Sequence, residues 1–166
     1  QVLRLQPGET VRVFDGRSPA EWEARIERIG RREVEVTVGA AAEPVDRELA
    51  RPIELAVGMP ANDRMDALVE KATELGAAAI RPLVTARSVL RLAGARAEAR
   101  QRHWQAIAEA ACEQCGRAIV PSVGAPEPLA AYLSRGGAAT ATEKVLLSLS
   151  NDARPVSSLK TGDAPT

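Results

Sequence analysis

The chain has 166 residues, of which 45% are hydrophobic and only 2% aromatic, and its 22 basic and 22 acidic residues cancel. This length suits one core or two small ones, and the balanced charge argues against a uniformly basic nucleic-acid-binding surface. No run of 18 apolar residues and no charged-then-apolar leader occurs, so neither a membrane span nor a signal peptide is predicted. We therefore expect a cytoplasmic α/β protein.

The first part of the chain is predicted to form short strands. The segments are 10–14, 21–29 and 33–38, with Asp15-Gly16 and Gly30 as turns. Valines alternate in the third segment and would face one side, which indicates a small antiparallel barrel or sheet. The segment 40–51 lacks a clear period and is interpreted as a linker between domains.

The pattern then changes to alternating strands and helices. After a predicted buried strand at 53–57, a helix begins at Asn62-Asp63, with Asp66 in the first turn, where its charge would suit the helix dipole. Gly76 ends this helix. Its predicted apolar face consists of Met65, Leu68, Val69, Ala72 and Leu75.

The later segments continue this alternation, which indicates a mainly parallel sheet. A long helix at 96–115 ends at Gly116, and 135–142 is predicted to be a mobile loop. The other predicted elements are strands at 79–83, 118–121 and 144–149 and a helix at 127–133.

The long helix has an apolar face and a polar flank. The face holds Trp104, Ile107, Ala108, Ala111, Cys112 and Cys115, and the flank holds His103, Ala110, Gln114 and Arg117. A substrate could reach polar groups at the rim of a core. Gln114 and Arg117 could equally cap the helix end.

Two further patterns have plain structural alternatives. Cys112 and Cys115 form a Cys-x-x-Cys motif, but they lie in the last turn of the helix, where the dipole opposes thiolate formation. With a single histidine in the chain, no metal site is predicted, and we expect both cysteines to be structural. Arg87-Ser88 follows a predicted strand, at the sheet edge where α/β proteins keep their sites, although an ordinary loop arginine fits as well.

Four motifs resemble one known family in residue type, order and spacing. They are Asp63-Arg64-Met65-Asp66, Lys71-Ala72-Thr73-Glu74-Leu75-Gly76, Arg87-Ser88-Val89 and Glu113-Gln114-Cys115-Gly116-Arg117, within a wider match over 2–123. The chain resembles the ribosomal small-subunit uridine-N3 methyltransferases of the knotted SPOUT class. It departs from the family pattern at Ala86, where the family has glutamate, and at Ala61-Asn62, where the family often has Lys-Gly.

The resemblance implies an N-terminal PUA-like β-barrel at 1–50, which binds RNA, and a SPOUT methyltransferase domain at 51–166. Both domains would be incomplete, and the knot-forming end would be missing from this chain. The family uses S-adenosyl-L-methionine to methylate 16S rRNA of the 30S subunit as a homodimer, and its cofactor loops would lie beyond Thr166. No membrane or metal is implied.

Site residues follow from the same resemblance. Uridine N3 carries a proton at neutral pH, so an arginine near the uracil oxygens would stabilise the anion that forms when the proton leaves. The candidate catalytic residues are Arg87 and Arg117. The candidate RNA-binding residues are Ser88, Gln114, Arg4 and Arg64. A second class remains open, a non-catalytic module that binds rRNA during ribosome assembly, and a redox role of the cysteines is a third.

Overall fold

The N-terminal part of the computed structural model is a three-stranded antiparallel sheet. The structure describes residues 4–43, 47–86, 88, 92, 94–135 and 143–158. Strands β1 (Thr10–Phe14), β2 (Glu21–Ile29) and β3 (Val34–Ala41) are arranged in the order β1-β2-β3. The three predicted strands are confirmed, with β3 extending to Ala41, and in the described residues they form an open sheet.

This sheet buries little apolar surface. Ala24 and Ile26 of β2 are buried, and they pair with Val38 and Val36 of β3. Directly opposed residues of an antiparallel pair point to the same face. Val36 and Val38 nevertheless remain exposed, as does Val34. The predicted alternation is therefore present, but the β3 end of this face is uncovered in the described residues.

The rest of the chain forms a parallel sheet with helices. The elements are β4 (Ile53–Gly58), α1 (Asn62–Glu74), β5 (Ala77–Val84), α2 (Ala95–Cys115), β6 (Ser122–Val123), β7 (Glu127–Pro128), α3 (Leu129–Arg135) and a 3₁₀ turn (Val156–Ser158). The sheet order is β4-β5-β6, and β7 pairs with the end of β5. All of these pairings are parallel, as predicted.

Helices α1 and α2 pack on each other around one core, where α1 also contacts β5 and α2 contacts β6. The core residues are Met59, Met65, Val69, Ala72, Ala77, Ile80, Trp104, Ala108 and Val123. The predicted apolar face of α2 is confirmed, since Trp104, Ala108, Ala111 and Cys112 are buried. On α1, Leu75 was assigned wrongly to the buried face: it is 78% exposed, because it lies after the last helical residue, where the chain turns at Gly76.

Asp66 does not have the predicted role at the helix start. The acidic residue in the first turn of α1 is Asp63. The Asp66 carboxylate instead accepts a hydrogen bond of 3.0 Å from Trp104 Nε1, and its other oxygen lies 2.9 Å from His103 Nε2. Asp66 therefore joins α1 to α2.

Several other boundaries differ from the predictions. The strand expected to be buried is β4, which lies at the edge of the sheet with Ile53 exposed, because the described residues pair it on one side only. The strand expected at 118–121 forms only one bridge, Ile119 with Gly16, and pairing resumes in β6. The helix expected at 127–133 begins at Leu129, after the two residues of β7.

The segment 144–149 is not a strand. It lacks regular structure, and Leu146, Leu147 and Leu149 are largely exposed. A strand forms only by pairing its backbone groups, and no described strand pairs with this segment. Residues 136–142, which include most of the predicted mobile loop, lie outside the described residues. Within the described part of the chain, none of the helices could cross a membrane.

Candidate functional site

A cleft of about 530 Å³ lies at the carboxyl edge of the parallel sheet. Among the described residues, the cleft is lined by Val84, Thr85, Leu92, Gly94, Ala97, Pro126 and Pro128. These residues come from the end of β5, the start of α2 and the surroundings of β7. Parallel α/β sheets bind ligands at this edge, because the loops that follow the strands meet there. The cleft is therefore the candidate site in the described residues.

Ser88 closes the turn that begins at the cleft. Its hydroxyl oxygen accepts a hydrogen bond of 2.9 Å from the Thr85 backbone N–H and lies 3.0 Å from Thr85 Oγ1. The backbone N–H of Ser88 donates to the Thr85 carbonyl at 3.1 Å. The half-buried side chain thus shapes the turn beside the cleft, and its role in binding RNA stays a prediction.

Arg87, the other candidate in this turn, lies outside the described residues. Its neighbours in the sequence, Ala86 and Ser88, are described. The prediction that Arg87 acts on the base stays a prediction.

Arg117 lies at the opposite end of α2 from the cleft. Its side chain is 4% exposed, and its Nη1 donates hydrogen bonds to the carbonyls of Thr73 at 2.8 Å and Ala77 at 3.0 Å. Its Nε and Nη2 donate to the two carboxylate oxygens of Glu48. Arg117 thus binds carbonyls at the end of α1 and the start of β5, and not those of α2 that the capping alternative named. Contact with a substrate stays a prediction.

The surroundings of Arg117 keep its guanidinium protonated. Burial by itself lowers the pKa of a guanidinium, but the hydrogen bonds and the charge of Glu48 outweigh it, so the pKa of Arg117 is raised above its ordinary value. A bidentate arginine–carboxylate pair of this kind fixes two groups in one geometry.

The remaining predicted residues are not brought together with the cleft. Gln114 is exposed in the last turn of α2, at the Arg117 end. Arg64 is exposed near the start of α1, and Arg4 is exposed at the beginning of the described chain, with φ of 44°. Of the six predicted residues, only Ser88 is described beside the cleft.

The two cysteines occupy the structural positions that were expected. Cys112 is fully buried, and its thiol lies 3.7 Å from the Ile119 carbonyl oxygen, while Cys115 is half-buried. Burial raises the pKa of the Cys112 thiol to about 11. Such a thiol is a poor nucleophile at neutral pH. In the part of the chain that the structure describes, no cluster of three or more His, Cys, Asp or Glu side chains could hold a metal ion.

Sequence reasoning missed the residues that interact across the fold. Glu48 was placed in a linker, yet it pairs with Arg117. Glu54 accepts hydrogen bonds from Tyr132 at 3.0 Å and from Arg81 at 2.9 Å, which connects α3 to the sheet. Charged residues far apart in one sequence carry no signal of such pairing, so only the fold reveals it.

Comparison with known proteins decides the family. The RNA methyltransferase domain family matches residues 47–163, and the RNA methyltransferase PUA domain family matches residues 1–39. A ribosomal RNA small subunit methyltransferase E from Synechocystis is 32% identical over 126 residues, which is 76% of this chain and 39% of that protein. This chain belongs to the ribosomal RNA small subunit methyltransferase E family. A member from Bacillus subtilis is 40% identical over 47% of the chain and 30% of its own length.

Solved structures of similar proteins have the same fold. A small subunit methyltransferase E from Neisseria gonorrhoeae, bound to S-adenosyl methionine, has a TM-score of 0.83 and 30% identity, covering 98% of this chain and 65% of its own. A putative methyltransferase from Legionella pneumophila, in complex with the cofactor SAM, has a TM-score of 0.75 and 33% identity over 80% of this chain and 54% of its own. The chain thus spans less than half the length of the Synechocystis and Bacillus relatives.

The predicted fold class is confirmed by these relatives. The N-terminal sheet belongs to a PUA-like domain, and the parallel sheet with its helices belongs to the SPOUT methyltransferase class.

Proposed function

We propose that this chain belongs to an enzyme that transfers a methyl group from S-adenosyl-L-methionine to N3 of one uridine in 16S rRNA. The observation that carries the proposal is the family match, which covers an RNA-binding PUA domain and a methyltransferase domain in the family's order. A relative of the same family binds this cofactor. The cleft supplies a place at the sheet edge where a reacting base could enter.

The described lining supplies only part of a cofactor site. It is mostly apolar, and Thr85, whose hydroxyl lies against Ser88, is its main polar side chain. S-adenosylmethionine also needs partners for its amino, carboxylate and ribose hydroxyl groups. The described lining could therefore form one apolar wall of the cofactor site. The other cofactor-binding residues would lie elsewhere in the protein. In this reaction class the cofactor supplies the electrophilic methyl group.

Exposed arginines at the same edge support an RNA substrate. Helices α1 and α2 follow β4 and β5, so both helices begin at the carboxyl edge of the sheet. Arg64 lies near the start of α1 and Arg96 near the start of α2, and both are exposed. Phosphate groups of an RNA strand that reaches the cleft would pass these positive charges.

The chemistry sets requirements for the protein side chains. The proton on uridine N3 must leave before N3 can attack a methyl group, and the resulting negative charge spreads onto the uracil oxygens. A guanidinium beside those oxygens stabilises the charge as it forms. With Arg117 occupied at the other end of α2, Arg87 is our candidate for this role. The target base would have to leave its stack to reach the cleft.

The proposal is tested by methyl transfer to 30S subunits that lack the modification. The enzyme is incubated with radiolabelled S-adenosylmethionine, and the modified nucleotide is located by mass spectrometry. We expect one methyl group on N3 of one uridine, which would also stop reverse transcription because N3 lies on the pairing edge. Methylation of another atom contradicts the specificity, and tight binding without transfer supports the non-catalytic rRNA-binding module instead.

The role of Arg87 is tested by separating binding from rate. In Arg87→Ala we expect RNA binding to persist while the rate at saturating RNA falls on the order of 10²-fold, as for the loss of an oxyanion donor. Arg64→Ala and Arg96→Ala should each reduce the slope of log K against log salt by about one and spare the saturated rate. Lys71→Ala, at the far end of α1, is the control. A normal saturated rate in Arg87→Ala would rule out the catalytic role.

A homodimer is also part of the proposal, because the family resemblance implies a site completed across an interface. Sedimentation equilibrium of the enzyme would measure its mass, and a monomer that retains full activity would contradict the dimer.

A further inference from the structure

Three consecutive residues of the connecting segment bind the same corner of the α/β unit. This corner consists of the end of α1 and the end of α2. Arg47 and Glu48 contact the end of α2 at Gly116 and Arg117, respectively. Leu49 packs so closely on Gly76, after α1, that a Cβ at Gly76 would lie 2.9 Å from Leu49 Cγ. The segment predicted to be a plain linker is therefore attached to the domain that follows it.

Arg47 also reaches the N-terminal sheet. Its Nη1 donates one hydrogen bond of 2.8 Å to the carboxylate of Glu21 and another of 2.8 Å to the Gly116 carbonyl. Glu21 is the first residue of β2 and is 8% exposed, and it accepts a further hydrogen bond from Arg12 of β1. One guanidinium thus connects the first residue of the central strand, β2, to the capped end of α2.

A second contact joins the two units directly. The Val120 backbone N–H donates a hydrogen bond of 2.9 Å to the Gly16 carbonyl, beside the bridge between Gly16 and Ile119. Gly16 has φ of 74°, and a Cβ there would lie 3.1 Å from Val120 Cγ2. Glycine therefore allows both the turn and the close approach.

We propose that Arg47 and Glu48 are positioning residues, which set the orientation of the N-terminal sheet relative to the cleft. Polar domain interfaces permit relative motion by default, so a fixed orientation needs specific contacts. Arg117 fixes the position of Glu48 in the α/β unit, because its buried guanidinium binds Glu48 and two backbone carbonyls at once. This inference rests on the proposed function and extends it: RNA bound by the N-terminal sheet would then reach the cleft in one fixed orientation.

The orientation can be measured without any enzymatic assay. Spin labels are placed at the exposed positions Thr37 on β3 and Ala106 on α2, in a Cys115→Ser background. Cys112 is buried and remains unlabelled under native conditions. The distance distribution between the labels then reports how firmly the sheet is held to the α/β unit.

We expect Arg47→Gln and Glu48→Gln each to broaden this distribution about twofold. The first change removes the bonds from Arg47 to both units, and the second weakens the attachment of the adjacent residue to Arg117. Arg28→Gln is the matched control, since Arg28 pairs with Glu33 and Glu35 inside the N-terminal sheet. An unchanged distribution in both variants, or equal broadening in the control, overturns the proposal. Arg47 is exposed enough that its replacement should leave the protein folded, which circular dichroism verifies.

The effect of Arg47 on the enzymatic reaction is measured separately. If the proposed function holds, Arg47→Gln should raise the KM for 30S subunits about tenfold and leave the KM for S-adenosylmethionine unchanged. Equal changes in both constants contradict a positioning role in RNA delivery. Because the distance measurement needs no methyl transfer, it stands even if the proposed reaction proves wrong.

Discussion

The two ends of helix α2 have different surroundings. At its C-terminal end, Gly116 adopts the left-handed conformation and its N–H bonds to the Cys112 carbonyl, while Arg117 is buried among hydrogen-bond partners. At its N-terminal end, Gly94 caps the helix without a side-chain hydrogen bond and lines an apolar cleft. One end is fixed by a polar network, and the other faces a cavity.

This difference bears on Arg117, which the sequence analysis names as a catalytic candidate together with Arg87. Moving a polar group that has several buried hydrogen-bond partners costs much free energy, so such a group stabilises the fold. The described lining of the cleft, by contrast, is mostly apolar. Arg117 thus lies within a network of buried contacts, whereas the Thr85–Ser88 turn lies beside the cleft, and the catalytic role of Arg117 stays a prediction.

Removal of Arg117 should have the largest effect. In Arg117→Ala, the carboxylate of Glu48 loses a charged partner and the carbonyls of Thr73 and Ala77 lose their donors. We expect unfolding free energy to fall by about 3 kcal/mol or more, as for other broken buried ion pairs. Urea denaturation measures the loss. Arg117→Lys should recover part of it, because lysine restores the charge without the planar fork.

If Arg117→Ala unfolded at the parental urea concentration, the network at this end of α2 would contribute little, and the contrast between the two helix ends would fail. A variant that is stable but inactive would return Arg117 to the list of catalytic candidates.

Asp66→Ala should have the next largest effect. It leaves the buried Trp104 indole N–H without its partner, which costs about 1–3 kcal/mol. His103→Ala is the control, because that side chain is exposed and keeps access to water. Thermal unfolding compares the two variants. Equal stability in both would mean that the Asp66–Trp104 bond does not hold α1 to α2.

Ser88→Ala should have a smaller effect at the cleft end. The change removes the oxygen that accepts a hydrogen bond from the Thr85 N–H in a half-buried turn. We expect a loss of about 0.5–1.5 kcal/mol, which is the usual net value of one hydrogen bond. Calorimetry measures it. A loss of unfolding free energy as large as that of Arg117→Ala would show that the contacts at the cleft stabilise the fold as much as those at the C-terminal end of α2.

The smallest effect is expected from Cys112, and only in alkaline solution. Its pKa is raised to about 11 by burial, so between the ordinary thiol value and about 11 the folded state holds a proton that the unfolded state has lost. Stability should therefore fall as pH rises through this window. Cys112→Ala should lessen that slope in urea unfolding measured at several pH values. An identical slope in the variant would rule out a contribution from this thiol.

Much of the fold followed from sequence periodicity. Short segments between turn residues, with alternating valines in the third, predicted the three strands of the N-terminal sheet. The spacing of Trp104, Ala108 and Cys112 predicted the buried face of α2. These patterns are local, because a strand or helix that covers one core must repeat its apolar residues at a fixed interval. Gly76 and Gly116 ended their helices as expected, since both adopt positive φ.

The errors concern properties that depend on neighbours. The apolar segment 144–149 fits a strand, but pairing requires a partner that the described residues do not supply. The position of β4 at the sheet edge likewise depends on the order of the strands, which no single segment encodes. Leu75 continued the apolar pattern of α1 past the point where the helix stopped.

The sequence by itself determined the family, most of the elements as far as α2 and the separation into a small antiparallel sheet and a parallel α/β unit. These follow from motifs and periodicities, which are short-range properties of the chain. Only the tertiary structure decided which polar residues serve the framework. Arg117 and Glu48 are 69 positions apart, and their pairing depends on where the fold brings the linker. Burial and hydrogen-bond partners exist only after folding, so the contacts of the Arg117 guanidinium could not be predicted from the sequence.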